Sequence, residues 1–240
     1  MIIYLCYLKS IIMAIEKRQT LGEVTGTLGN IVRRKRYGKI VVYIRSGKYR
    51  KSKSLEAKAG RNSFALSVAL ARVVNSISDL KQIWQLANLE GVVAYNRIIK
   101  YNKQYIKDDS LTVNNIITPK GIHLLLSEFK ITNDQIQLTI NLKEAPLNKL
   151  LHNSFNLHLV LYAFNPKVTM KKPYELIGNS NLIEQEPVNN LHTLSIPLDT
   201  IIMQTLEQFS MVICYVSASK YNGKKKELFW SSTVARQFDL

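Results

Sequence analysis

Cysteine is nearly absent: the 240 residues hold two, Cys6 and Cys214, far apart and in no motif. That excludes a disulfide framework and a cysteine zinc site, and a reducing compartment is the default expectation. Histidine is also sparse. His123, His152, His158 and His192 lie in or beside predicted strands, with no carboxylate or cysteine at ligand spacing. They are expected to be strand or loop residues. The chain has no G-x-S-x-G elbow, H-E-x-x-H, C-x-x-C or Walker signature, so neither an enzyme nor a cofactor-binding protein is expected. The three glycines of residues 19–30 lack the Gly-Lys-Ser/Thr ending that grips a nucleotide. Glu184 and Glu186 flank a proline loop without evident metal partners, and Asp108-Asp109 has the look of a turn or cap.

Long apolar runs are missing too. Residues 1–12, MIIYLCYLKSII, are apolar but too short to span a bilayer, and no charged segment precedes them. Met13 opens MAIEKRQT, which suits a natural start; a cleaved signal peptide is the alternative, with no small-residue cleavage site to support it. No membrane partner is expected.

Acidic residues are what the first half lacks most. Residues 1–107 carry 21 Lys/Arg against 5 Asp/Glu, whereas residues 108–240 carry 12 of each. The whole net charge of +16 therefore belongs to the first half. From Arg33 to Arg61 there are 12 basic residues and only Glu56 to oppose them. Such density attracts and steers polyanions. The plainer reading is a solvated basic face that serves solubility.

What is present is patterned for folding: hydrophobic residues make up 46% and charged residues 21%, an ordinary globular balance. Residues 19–30 have the composition of an adaptable arm. Two β-rich runs, 31–34 and 40–44, flank Arg36-Tyr37-Gly38-Lys39 and predict a hairpin, with Gly38 suited to a positive φ. Residues 46–60 are expected to form a basic linker. A helix capped near Asn62-Ser63 should run to about Leu89, with Leu66, Leu70, Val73, Ile77, Leu80 and Trp84 as its apolar stripe. After Gly91 a second short helix should carry Val92, Tyr95, Ile98 and Ile99.

Beyond residue 110 the period shortens. Strands are expected at 111–117, 122–129, 135–142, 157–164, 191–198, 211–217 and 228–234, separated by breakers such as Asn165-Pro166 and Asn222-Gly223. Lys224, Lys225 and Lys226 would sit at the tip of the last hairpin. Seven such strands predict an α+β chain ending in an immunoglobulin-like antiparallel β-sandwich, without the Cys…Trp…Cys hallmark. The expected division is 1–107, holding the arm, hairpin and helices, and 108–240, the sandwich.

Gly29-Asn30, the basic hairpin with Gly38, then Ser54, Arg61 and Phe64, then Trp84 and Asn96 carry a family resemblance over about residues 26–100. The pattern resembles an uncharacterised group of phage- and prophage-type proteins, in which a G-N-x-V…G…R opening leads to an S-x-x-Q-x-x-x-R-x-x-F helix start, often followed by an immunoglobulin-like domain. Here the helix entry, Ser54-Leu55-Glu56-Ala57-Lys58-Ala59-Gly60-Arg61, lacks the usual Pro and Gln. The resemblance implies a structural protein of a phage-like particle or filament, self-assembling, in the cytoplasm or the virion.

The residues themselves lead to the same kind of partner: nucleic acid held non-specifically by its backbone, with homo-oligomeric or particle neighbours and no small-molecule substrate. Candidate contacts are Arg33, Arg34, Lys35, Arg36, Lys39, Arg45, Lys48, Arg50, Lys51 and Lys53. Tyr37, Tyr43 and Tyr49 are candidate stacking partners. Two other readings compete: a protein-binding adaptor whose arm adds strands to a neighbour, and a secreted surface or carbohydrate-binding sandwich.

Overall fold

The computed structural model describes residues 13–15, 26–36, 38–45, 47, 52–132, 135–143, 147, 150–151, 154–168, 173–184, 191–222 and 227–240. The chain forms two compact units, Met1–Lys53 and Ser54–Leu240.

The first unit is a small antiparallel sheet of β1 (Met13–Ile15), β2 (Gly26–Leu28), β3 (Ile31–Arg36) and β4 (Lys39–Ile44), in the order β1-β4-β3-β2. Two glycines make its tight turns. Gly29, at φ +56°, opens the two-residue turn between Leu28 and Ile31, and Gly38, at φ +75°, sits in the turn closed by Arg36 and Lys39. Both angles would strain a side chain bearing Cβ. The expected hairpin is there, with β3 two residues longer than its apolar run. The expected arm is corrected at its end: Gly26–Leu28 is a strand, because β3 offers it a free edge to pair with.

The second unit starts earlier than the periodicity suggested. The Ser54 hydroxyl accepts from the Ala57 amide at 3.3 Å and caps α1 (Leu55–Ser76), with Glu56 in the first turn. The Leu-Glu-Ala-Lys-Ala run assigned to a linker consists of good helix formers. The stripe then breaks at Ile77, whose extended backbone (ψ 116°) separates α1 from α2 (Ser78–Leu86) and turns the helix axis by 105°. One straight helix to Leu89 would be about 40 Å long and would carry Leu80, Ile83 and Trp84 away from Leu70 and Val74. Folding back buries Leu80, Ile83 and Trp84 beside Leu70 and Val74 instead. After it, α3 (Ala94–Asn102) supplies Arg97, whose guanidinium donates to the carbonyls of Trp84, Gln85, Ala87 and Gly91. Those include the carbonyls left over at the end of α2.

Residues 111–117, expected as a strand, are irregular. Two buried asparagines explain it. Asn102 Oδ1 accepts from the Ile116 amide at 2.7 Å and Asn115 Oδ1 from the Thr112 amide at 2.8 Å, so side chains satisfy the backbone that a neighbouring strand would otherwise pair. Asp108 and Asp109, both at positive φ, form the turn foreseen for them.

The remaining elements are β5 (Leu126–Ile131), β6 (Gln135–Asn141), β7 (Phe155–Pro166), β8 (Tyr174–Ile183), β9 (Leu191–Pro197), α4 (Thr200–Leu206), β10 (Phe209–Asn222), β11 (Glu227–Trp230) and β12 (Val234–Asp239). One sheet has the order β5-β6-β9. The other has β11-β10-β7-β8, with β12 also pairing with β10, and every pairing is antiparallel. Strand alternation then builds three layers. Leu157, Leu159 and Leu161 of β7, with Val212, Cys214 and Val216 of β10, meet Leu138, Ile140 and Leu194 of the three-stranded sheet. Val160, Tyr162, Ile213 and Tyr215 point the other way, into Leu70, Trp84 and Ile98 of the helices.

Strands β7 and β10 are thus covered on both faces. A boundary at residue 107 would cut through this shared core, and the compact unit begins at Ser54 instead. The expected strand 228–234 is two strands. Between them the Ser231, Ser232 and Thr233 hydroxyls accept from the amides of Ala218, Gly121, Ile117 and Thr118, ending the ladder. Sequence periodicity missed β8, whose centre reads Gly-Asn-Ser-Asn, and α4. The lysine tip at 224–226 lies outside the described residues.

The fold is α+β, with three antiparallel sheets. No single helix among the described residues is long and apolar enough to cross a membrane.

Candidate nucleic-acid interface

Register assigns each charged side chain of the small sheet to a face. Across β3 and β4 the pairs are Ile31/Ile44, Val32/Tyr43, Arg33/Val42, Arg34/Val41, Lys35/Ile40 and Arg36/Lys39. Directly paired residues share a face and successive residues alternate. One face therefore carries Arg34, Arg36, Lys39 and Tyr43; the other carries Arg33 and Lys35. The Arg34 guanidinium lies 5.9 Å from the centroid of the Tyr43 ring, within cation–π reach, which confirms that these two share a face.

Exposure separates the candidates further. Arg34, Lys35, Arg36, Lys39, Arg45 and Lys53 are exposed, Tyr43 is half-buried, and Arg33 is buried at 9%. The Arg45 amide donates to the Asn30 carbonyl at the end of the hairpin. Tyr37, Lys48, Tyr49, Arg50 and Lys51 lie outside the described residues. The structure thus gathers four of the candidates on one face and places Arg33 and Lys35 on the opposite one.

That opposite face holds something the sequence did not signal. Leu28, Ile31 and Ile44 stand side by side on three neighbouring strands, at 79%, 48% and 57% exposure. Only the register reveals the row, since the three residues come from three separate runs.

In the second unit the polar cluster is a rivet between layers. Ser219 donates its one hydroxyl hydrogen to Asp79 at 3.1 Å, so His158 Nε2 donates to Ser219 at 2.8 Å and Nδ1 accepts from Ser180 at 2.9 Å. Asn156 also donates to Asp79, at 2.7 Å. Burial pushes the His158 imidazole down to about 4, against the partial opposition of the Asp79 carboxylate 3.9 Å away. A base held that low takes up protons poorly near neutrality, and Ser219 stands where a catalytic triad would put direct contact between carboxylate and imidazole. His192 is also buried, against the Phe155 ring and the Leu151 carbonyl. His123 is exposed, and His152 lies outside the described residues. Cys214 is buried between the sheets, which pushes its thiol pKa up. Among the described residues no group of three or more His, Cys, Asp or Glu could hold a metal ion.

Fold and site together define a small basic β-sheet unit followed by an α+β body of helices over two antiparallel sheets. No protein-family model and no curated protein matches the chain. Among solved structures it is similar to a β-glucosidase from Kluyveromyces marxianus, at 15% identity over 58% of this chain and a TM-score of 0.23. The same enzyme in complex with glucose gives 17% identity over 58% and a TM-score of 0.21. The chain spans 16% and 17% of the length of these two enzymes. A third structure, titled for CC2D1B and its coordination of ESCRT-III activity during mitotic reformation of the nuclear envelope, gives 11% identity over 78% of this chain and 77% of that one, with a TM-score of 0.19.

Proposed function

We propose that this is a non-enzymatic structural or assembly protein that binds nucleic acid backbone non-specifically through its basic N-terminal sheet. The observation that carries the proposal is the convergence of Arg34, Arg36 and Lys39 on one exposed face within a segment almost without acidic residues. Three cations at that spacing neutralise phosphates whatever the base sequence. The resemblance to phage- and prophage-type proteins supports a particle or filament as the setting. The strand order supports an immunoglobulin-like sandwich for the body. The first, second and fifth of its strands form one sheet, and the third, fourth and sixth lie in the other with the last.

One observation favours a second reading. The exposed row of Leu28, Ile31 and Ile44 suits contact with a protein neighbour, as an adaptor would make.

The test is a salt titration of the full chain on a single-stranded oligonucleotide. Each phosphate contact contributes about 0.7 to the slope of log affinity against log salt. Replacing Arg34, Arg36 and Lys39 by Glu should weaken binding and flatten that slope by about 2. An unchanged slope would remove the mechanism.

A further inference from the structure

We propose that the Arg34/Arg36/Lys39/Tyr43 face is a platform for single-stranded nucleic acid, with Tyr43 and the Arg34 guanidinium as the stacking surface for an unpaired base. This rests on the nucleic-acid reading above and narrows it to one face, one strand state and one aromatic ring.

The argument starts from the grid. Along β3, Arg36 and Arg34 are two residues apart, which is about 6.7 Å of strand. Across from Arg36 stands Lys39, and two positions beyond Val41 on β4 stands Tyr43. The face therefore runs from a doubly cationic end, Arg36 with Lys39, through Arg34 to an aromatic end about 13 Å away. Charge and ring lie in file along one face of the two strands. A nucleic acid strand has the matching order, with phosphates along its backbone and bases to one side.

The ring sets the strand state. A tyrosine face or a guanidinium plane accepts any base by stacking, but a base is available to it only when unpaired and unstacked from its own neighbours. A duplex would offer this face phosphates alone. Tyr43 is half-buried, with the Arg34 guanidinium carbon 5.9 Å from its ring centroid, so ring and positive charge stand next to each other on this face. The other side of the same strands offers Leu28, Ile31 and Ile44 to solvent, where a phosphate would face exposed apolar surface. Three exposed cations and the ring stand on the first side, against the exposed Lys35 and the buried Arg33 beside this apolar row, so charge and stacking together favour the first side.

The experiment is fluorescence anisotropy of the full chain with a labelled mixed-sequence DNA strand, and with that strand annealed to its complement, at one fixed salt concentration. The single strand should bind more tightly than the duplex. Tyr43→Ala should weaken single-strand binding by about 5- to 100-fold while changing duplex binding far less. Tyr43→Phe keeps the ring and should retain the affinity. Arg34→Gln, at an exposed position, should reduce single-strand binding without endangering the fold. Lys143→Glu makes a charge reversal in the body, where the residue is exposed, and should change nothing. Duplex binding equal to or tighter than single-strand binding would overturn the platform, as would equal losses on both polymers in Tyr43→Ala. Either result would leave backbone binding standing. If neither polymer bound the full chain, the nucleic-acid reading itself would fall.

Discussion

His158 makes the body sensitive to acid in a way that can be calculated. Its imidazole is fully enclosed between the sheet and the start of α2, with both ring nitrogens committed to serine hydroxyls. Burial lowers its pKa from 6.5 to about 4, and the nearby Asp79 carboxylate limits the fall. As pH drops through 6.5, the unfolded chain binds a proton that the folded chain refuses. The stability contribution is therefore complete above 6.5, declines below it and is exhausted near 4. The free-energy equivalent of holding the imidazole this low is about 3 kcal/mol, a large share of the ~5–15 kcal/mol that stabilises a typical domain. Urea unfolding of the full chain at a series of pH values should show this decline. In His158→Gln the stability near neutrality should be lower but its dependence on pH flatter, by about the same 3 kcal/mol. Should that variant fail to fold, the ring-proton resonance of His158 in the wild type answers the question directly. An imidazole titrating near its ordinary value, or a His158→Gln protein with the wild-type pH profile, would refute the reasoning.

Two further predictions concern packing. A Cβ at Gly178 would lie 2.7 Å from Val73 Cγ1, where α1 crosses β8, so Gly178→Ala should lower stability by about 1–3 kcal/mol in thermal or denaturant unfolding. Asn102→Ala strands the Ile116 amide, while Asn115 keeps its bond to the Asn102 backbone carbonyl; it should cost about 1–3 kcal/mol, with faster amide exchange across residues 111–118 than in the wild type.

The hairpin was legible because its signals are local: β-rich runs, a glycine where φ must be positive, and two residues between the strands. The apolar stripe of the helices was legible for the same reason, yet its break was not. Nothing at Ile77 announces a bend of 105°, which returns Leu80, Ile83 and Trp84 to the core that Leu70 and Val74 share with β7 and β10. In the body, alternation located strands β6, β7 and β9 well but overlooked β8. Its Gly178, Asn179, Ser180 and Asn181 carry no apolar rhythm, and the strand forms because β7 offers ten residues of pairing. Residues 111–117 erred in the opposite direction: apolar enough for a strand, they are held by Asn102, by Asn115 within the segment itself and by the distant Thr233.

At the candidate site, composition located the charge but not its geometry. A run reading Arg-Arg-Lys-Arg looks like one continuous patch, yet strand alternation sends Arg33 and Lys35 to one side and Arg34 and Arg36 to the other. The partnership of Arg34 with Tyr43 depends on register across the turn, and so does the exposed row of Leu28, Ile31 and Ile44.

The most direct measurement is nuclease treatment of the assembly purified from its native source, followed by ultraviolet absorbance and particle size. Release of nucleotides together with disassembly is the result predicted for a protein whose basic sheet is neutralised by phosphate. An assembly that carries no nucleic acid, and keeps its size after digestion, would contradict the account.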